Sequence, residues 1–296
     1  MSLVASVGYQ SNWVDVLQAD FMRNAFIGGA LVAVAAGALG YFVIVRQHAF
    51  AAHALAHIGF PGATGAVLIG APITAGLAVF TIAGALAIGF LGKKVADREI
   101  ATGTILAFAT GLGVLFNSLA TKSANTVTNV LFGNLLAITT DQLVVFAAFT
   151  AVLVLVLAAI ARPLTFASVN PQVAEAKGVP VRALGVVFMV LLALVITMAV
   201  QVVGTLLLFG LVVTPSATAL AITARPALVA VLGTVIGLVS VAIGLVLATM
   251  FNLPPSFFIV TVSFVVWGVT LLLTRDRHRV VSASVLTEPS PRSQAA

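Results

Sequence analysis

Residues 48–62, HAFAAHALAHIGFPG, place three histidines in a stretch flanked on both sides by almost wholly apolar sequence. The reading of the chain turns on whether this segment lies in water or in a membrane. Hydrophobic residues make up 61% of the 296 positions and charged residues 7%, whereas a water-soluble globule carries about 25% charged residues. There is too little polar surface to cover a soluble fold, so the composition points to an all-α polytopic membrane protein in contact with a lipid bilayer. The absence of cysteine removes disulfides and thiolate ligands together and leaves metal chemistry to histidine, carboxylate and backbone oxygen. The net charge of +6 is spread between apolar runs; nucleic-acid binding needs a clustered basic face, so no nucleic-acid partner is expected. Residues 1–22 contain Asp15 and Asp20 but no Lys or Arg, and the basic start of a cleavable signal peptide is therefore missing.

About 20 helical residues cross roughly 30 Å of hydrocarbon. Nine runs reach that length: 22–45, 49–70, 73–91, 100–119, 143–161, 183–201, 204–224, 227–250 and 256–274. Of the 14 Lys and Arg, only Arg23 and Lys122 lie outside one alternating set of connections. Cytoplasmic loops carry such an excess, so the N-terminus is expected outside and the C-terminus inside. Residues 1–21 then form an extracytoplasmic segment, 22–274 the transmembrane domain, and the Ser/Pro-rich region 275–296 a disordered cytoplasmic tail.

Two connections exceed what a turn needs. Residues 120–142 contain VLFGNLLAI, too short to span and better suited to an interfacial or re-entrant position. Residues 162–182 form a cytoplasmic loop in which Pro171 after Asn170 starts a short helix and Gly178 followed by Pro180 stops it. Within 49–70, His53 and His57 are four apart and share a helix face, with Cβ atoms about 5–6 Å apart, a spacing that lets two imidazoles bind one metal ion. His48 is off that face. A helix starting near Ala49 puts the pair on the order of 6–12 Å into the hydrocarbon, where an ionisable residue is costly and marks a functional site by default. Pro61 and Gly62 weaken the helix within a turn, as in the broken helices of transporters. Gly62, Ala66 and Gly70 form a small-residue ridge suited to close helix packing. Asn117, Thr197, Gln201, Thr214 and Thr218 are further intramembrane polar residues, read mainly as packing groups.

HALAHIGFPG (53–62) resembles the early-helix signature of the membrane subunits of bacterial metal-ion ABC importers, the ABC-3 family of zinc, manganese and iron permeases. His57 matches the family histidine and Pro61-Gly62 its break, while His53 stands where that family usually has Asp. Three further stretches agree in order and spacing: NVLFGNLLAIT (129–139), VNPQVAEAKGVPVRALG (169–185) and VVGTLLLFGLVVTPSATALAIT (202–223), the last containing Pro215 as a helix break. The resemblance covers most of residues 20–275.

It implies a transport subunit, not an enzyme, in a bacterial cytoplasmic membrane. The implied partners are a second copy of the permease, a cytoplasmic ATP-binding subunit docked on Ala174, Glu175, Ala176 and Gly178, and an extracytoplasmic solute-binding protein. No permanently bound cofactor is implied; the transported ion, zinc by preference or manganese or iron, would meet His53 and His57 from two copies and move by alternating access. GFLGKK (89–94) lacks the glycine spacing and the Ser/Thr of a phosphate loop, so ATP hydrolysis falls to the partner. A membrane di-iron oxygenase would need several more ligands than this chain offers. The alternative is an ion-coupled secondary metal transporter, which would normally use an intramembrane carboxylate, and every Asp and Glu here lies in a loop or at a span edge.

Overall fold

A computed structural model describes residues 13–91, 95–119 and 124–286. Every regular element among them is helical. In chain order the helices are α1 (Trp13–Leu17), α2 (Asp20–Val45), α3 (Ala49–Ile58), α4 (Phe60–Leu68), α5 (Ile73–Leu91), α6 (Val95–Leu119), α7 (Ala124–Phe132), α8 (Thr140–Val169), α9 (Pro171–Ala176), α10 (Val181–Val212), α11 (Thr214–Ile222), α12 (Pro226–Phe251) and α13 (Pro255–Leu286). Seven helical segments among the described residues are long and apolar enough to cross a membrane, against the nine expected runs. The difference arises at two places. The run 49–70 is divided at Gly59 into α3 and α4, each too short alone. The runs 183–201 and 204–224 are joined into one helical stretch, Val181–Ile222.

That joined stretch is bent back on itself. Gly204, inside α10, has φ 81° and ψ 169°, backbone angles open essentially to glycine alone. In a straight helix Phe188 and Ser216 would be about 42 Å apart. Yet the Arg46 guanidinium lies over the Phe188 ring and Ser216 abuts Gly40, two positions only about 9 Å apart along the α2 direction. The chain therefore reverses at Gly204. Gly133, between α7 and a 3-10 turn over Leu135–Ala137, meets this corner backbone to backbone, and Asn134 N–H donates to the Gln201 carbonyl at 3.0 Å. VLFGNLLAI is accordingly a short helix end plus a turn, not a span.

The Val181–Ile222 stretch and α2 form the inner layer, 72% and 67% buried over their most apolar windows, against 11% for α13. A row of small residues on α2, Gly29, Ala33 and Gly37, lets α12 approach: a Cβ on Gly29 would strike Val241, and one on Gly37 the backbone of Thr234, while Gly40 further along makes room for Ser216 of α11. Without a hydrophobic drive between helices in lipid, such close van der Waals contact holds the bundle together. α8 begins with a capping box between Thr139 and Gln142. It continues through Arg162 and Pro163 to Val169, because Leu164 and Ala167 are buried on the core side. The connection to α10 is thereby shortened to 170–180. α13 likewise stays helical to Leu286, beyond the expected end of the last span, and 287–296 lie outside the described residues.

Candidate functional site

α3 carries the two histidines at its centre and end. Their rings meet edge to face with centroids 4.9 Å apart and planes at 74°, so the spacing anticipated from sequence is realised as a side-by-side pair. Both are half-buried and share one stripe with Phe50 and Phe60, while the opposite face of α3, Ala52, Leu55, Ala56 and Ile58, is buried. Among the described residues no third His, Cys, Asp or Glu joins them. One chain thus offers two nitrogen donors on an open face. His48 is elsewhere: 3% exposed, its ring 5.1 Å from Phe188.

The bend next to the pair follows from Pro61, which has no N–H for the carbonyl of His57 four residues back. Gly59 itself keeps right-handed helical angles, φ −66° and ψ −23°. The result is a bend, with Pro61 in the first turn of α4. Gly62 is where α4 touches α5: a Cβ there would enter the Gly76 carbonyl, and Ala66 lies against the same glycine. Gly70 does not extend this ridge; at φ 71° with open space around it, it ends the helix instead. Pro215 stands in the first turn of α11, beside Ser216, whose hydroxyl faces Gly40 and Gly233.

A polar ladder leads to the bend between α3 and α4. Gln142 Nε2 and Thr74 Oγ1 both donate to Gln201 Oε1, at 3.2 and 2.8 Å, and Gln201 Nε2 donates to the Thr197 carbonyl at 3.1 Å. Thr197 and Thr81 hydroxyls are bonded at 2.7 Å, and the Thr81 methyl faces Gly59 at the α3–α4 bend. The ladder starts at a cavity of about 190 Å³ lined by Asn129, Asn134, Gln142 and Gln201. Thr197 and Gln201 are visible in the sequence as polar residues in an apolar run. Thr74 and Thr81 lie in the apolar run 73–91 as well, but only the packing of α5 and α8 on α10 shows that they and Gln142 join this ladder. Thr218 and Thr214 instead bond back to their own chain, at the Thr214 and Phe209 carbonyls.

α9 forms where Asn170 and Pro171 predict it: the Asn170 side chain accepts from Val173 N–H at 3.1 Å, and Gly178, at φ 81°, follows the helix end. Ala174 is fully buried and seats the helix against α8, while Val173, Glu175, Ala176 and Gly178 are exposed. α9 is thus anchored by one residue and open on the rest of its surface.

The model of the ABC 3 transport family matches residues 18–274. The manganese transport system membrane protein MntC of Listeria monocytogenes is 31% identical over 258 residues, 87% of this chain and 92% of that protein. The manganese import system permease protein ScaB of Streptococcus parasanguinis is 31% identical over 211 residues, 71% and 75% of the two chains. Among solved structures, PsaBC from Streptococcus pneumoniae in complex with Fab superposes with a TM-score of 0.79 at 27% identity, over 88% of this chain and 95% of that one. With its helical bundle, reversed α10 corner and bent histidine helix, the chain belongs to the ABC 3 transport family and is a multi-pass membrane permease, a transport subunit and not an enzyme.

Proposed function

We propose that this chain is the permease of an ATP-driven importer that moves divalent metal ions across a bacterial cytoplasmic membrane. The observation that carries this reading is the His53–His57 pair, 4.9 Å between ring centroids on the open stripe of a bent helix, in a chain whose relatives are named for manganese transport. Two copies related by a two-fold axis would bring up to four imidazoles to one ion, a donor set suited to tetrahedral coordination. The ion is cargo, bound in passing, and no resident cofactor is involved.

The bundle is read as nine crossings. The bent pair α3–α4 counts as one, and the two arms of the Val181–Ile222 stretch count as two. The N-terminus lies outside and the C-terminus inside, which places Gly204 and the carboxamide cavity at the outer face and Arg46 and α9 at the cytoplasmic face. A solute-binding protein delivers the ion outside. A separate ATPase engages Glu175, Ala176 and Gly178 on α9, with Ala174 transmitting its motion into the bundle, and the permeases rock between outward- and inward-open states. The orientation is checked by single cysteines in this cysteine-free chain: Thr140→Cys, at the exposed start of α8, reacts with an impermeant thiol reagent in intact cells, and Lys177→Cys does not. The opposite pattern would invert the bundle.

The driving force is tested in vesicles holding the permease, its ATPase and the binding protein. Manganese or zinc uptake is expected to require ATP and to survive collapse of the proton gradient. Uptake that tracks the gradient without ATP would favour a secondary transporter instead. In the same vesicles Glu175→Pro is expected to stop uptake, because proline inside the six-residue α9 costs about 3 kcal/mol or more locally. Unimpaired ATP-driven uptake in that variant would remove α9 from the coupling path.

A further inference from the structure

The end of the bundle that carries α9 contains a cluster which the histidine site and the docking helix do not use. α2 closes in a tight turn: His48 N–H donates to the Val43 carbonyl at 2.8 Å, Gln47 N–H to the Ile44 carbonyl at 3.0 Å, and Gln47 takes the left-handed φ of 56°. This is the two-bond helix ending normally completed by glycine. α3 starts one residue later, so its direction is set by this turn. The turn is held by Arg46. Its Nη1 donates to Ser168 Oγ at 3.2 Å, and its guanidinium carbon is 5.4 Å from the centre of the Phe188 ring. The same ring meets that of His48 in a T-shaped contact, and His48 Nδ1 is 2.7 Å from the Arg46 carbonyl. A carbonyl only accepts, so Nδ1 carries the proton.

These partners flank the docking helix on both sides. Ser168 is two residues before Asn170, the cap of α9, and its hydroxyl is tied in turn to the Leu164 carbonyl. Phe188, fully buried, stands in the second turn of α10, just after α9 and its stop at Gly178. The chain leaving α8 and the chain entering α10 therefore both grip the guanidinium that heads α3. A shift of α9 moves both grips, and the element they share leads directly into the helix bearing His53 and His57.

We infer that Arg46, with Phe188 and His48, is a positioning cluster that transmits displacement of α9 to the histidine-bearing helix α3. This rests on the transport reading above. Sequence alone gives no sign of it, since residues 46, 168 and 188 are brought together only by the packing of α2, α8 and α10. Arginine fits this position because its planar cation stacks on an aromatic face and still donates at its edge, which lysine does not reproduce.

The experiment compares metal ions transported per ATP hydrolysed in the reconstituted complex. Arg46→Gln and Phe188→Leu are each expected to lower this ratio about tenfold, within the range typical of coupling between sites, while ATP hydrolysis continues and the complex stays assembled. Phe188→Tyr keeps the ring face and is expected to keep the ratio. Ser168→Ala removes a single hydroxyl, the acceptor for Arg46 and a donor to the Leu164 carbonyl within its own helix, and is expected to lower the ratio several-fold, so the inference remains testable should the larger changes impair folding. A wild-type ratio in Arg46→Gln, Phe188→Leu and Ser168→Ala, or loss of ATP hydrolysis in proportion to uptake, would overturn the cluster's role and leave the transport reading intact. A wild-type complex that hydrolyses ATP but moves neither manganese nor zinc would instead overturn the transport reading, and the inference with it.

Discussion

Gly204→Ala is expected to abolish most of the folded permease. Two effects add. Alanine at φ 81° and ψ 169° occupies a region that costs of order 1–3 kcal/mol. Its Cβ would also enter the Leu131 carbonyl and press on the Gly133 amide, and both are backbone atoms of a segment tied down by the Asn134–Gln201 hydrogen bond, so neither side yields cheaply. Against a total stability of about 5–15 kcal/mol, a combined loss of several kcal/mol removes a large share. Gly103→Ala is the control: Gly103 lies in α6 with no atom within 4 Å of the added Cβ, and alanine there gains up to about 1 kcal/mol in helix propensity. The two variants are compared by thermal unfolding of the detergent-solubilised protein. A Gly204→Ala midpoint equal to that of wild type would mean that the two backbones do not cross at this corner.

Gly204 also shows where sequence reading stops. The apolar runs 183–201 and 204–224 are legible from hydropathy, and the separation between them falls within a few residues of the observed corner. The means of reversal is not legible. VVGTLLLFG has no proline, no polar turn residues and no charge, because this corner is stabilised by a second backbone, at Gly133, 71 positions away in the chain. Local signals do carry local structure: Asn170-Pro171 starts α9 and Gly178 follows its end, as their chemistry requires. Pro163 misleads in the opposite direction. Arg162-Pro163 reads as the end of a span, yet the loss of one hydrogen bond is outweighed by burying Leu164 and Ala167.

The candidate site divides in the same way. Two histidines four apart are a helical-periodicity signal that needs no partner to be recognised, and the rings do pair. The Gln142–Gln201–Thr74 bonds join three helices, and threonine in an apolar helix is so often bonded to its own i−4 carbonyl, as Thr270 and Thr274 are here, that Thr74 and Thr81 carry no distinguishing mark. The small-residue ridge expected at Gly62, Ala66 and Gly70 holds for the first two positions, which face Gly76. It fails at the third because the helix ends there with Gly70 at φ 71°.

His57→Ala is expected to lower metal uptake by at least about 100-fold with the complex intact. Loss of a group that merely orients a metal ligand typically reduces affinity or activity about 10–100-fold, and under the proposed function this change deletes a ligand itself without adding buried charge. Assembly with the ATPase and a wild-type melting profile separate a lost ligand from a lost fold, and wild-type uptake in this variant would remove the histidine pair from the pathway. On the same proposal His53 bears on the choice of metal. Imidazole suits zinc and the later first-row ions, whereas carboxylate oxygen suits manganese, so we propose that the second histidine tilts the pair toward zinc, although the relatives are named for manganese. Absolute affinity is a poor test, since the Irving–Williams order favours zinc over manganese at nearly any nitrogen site. The ratio is the useful quantity: His53→Asp is expected to raise manganese uptake relative to zinc in the same cells at equal expression. Should the ratio stay constant while His57→Ala still abolishes uptake, discrimination would lie in the protein that delivers the ion, and His53 would serve the pair by holding its partner ring, edge to face, in position.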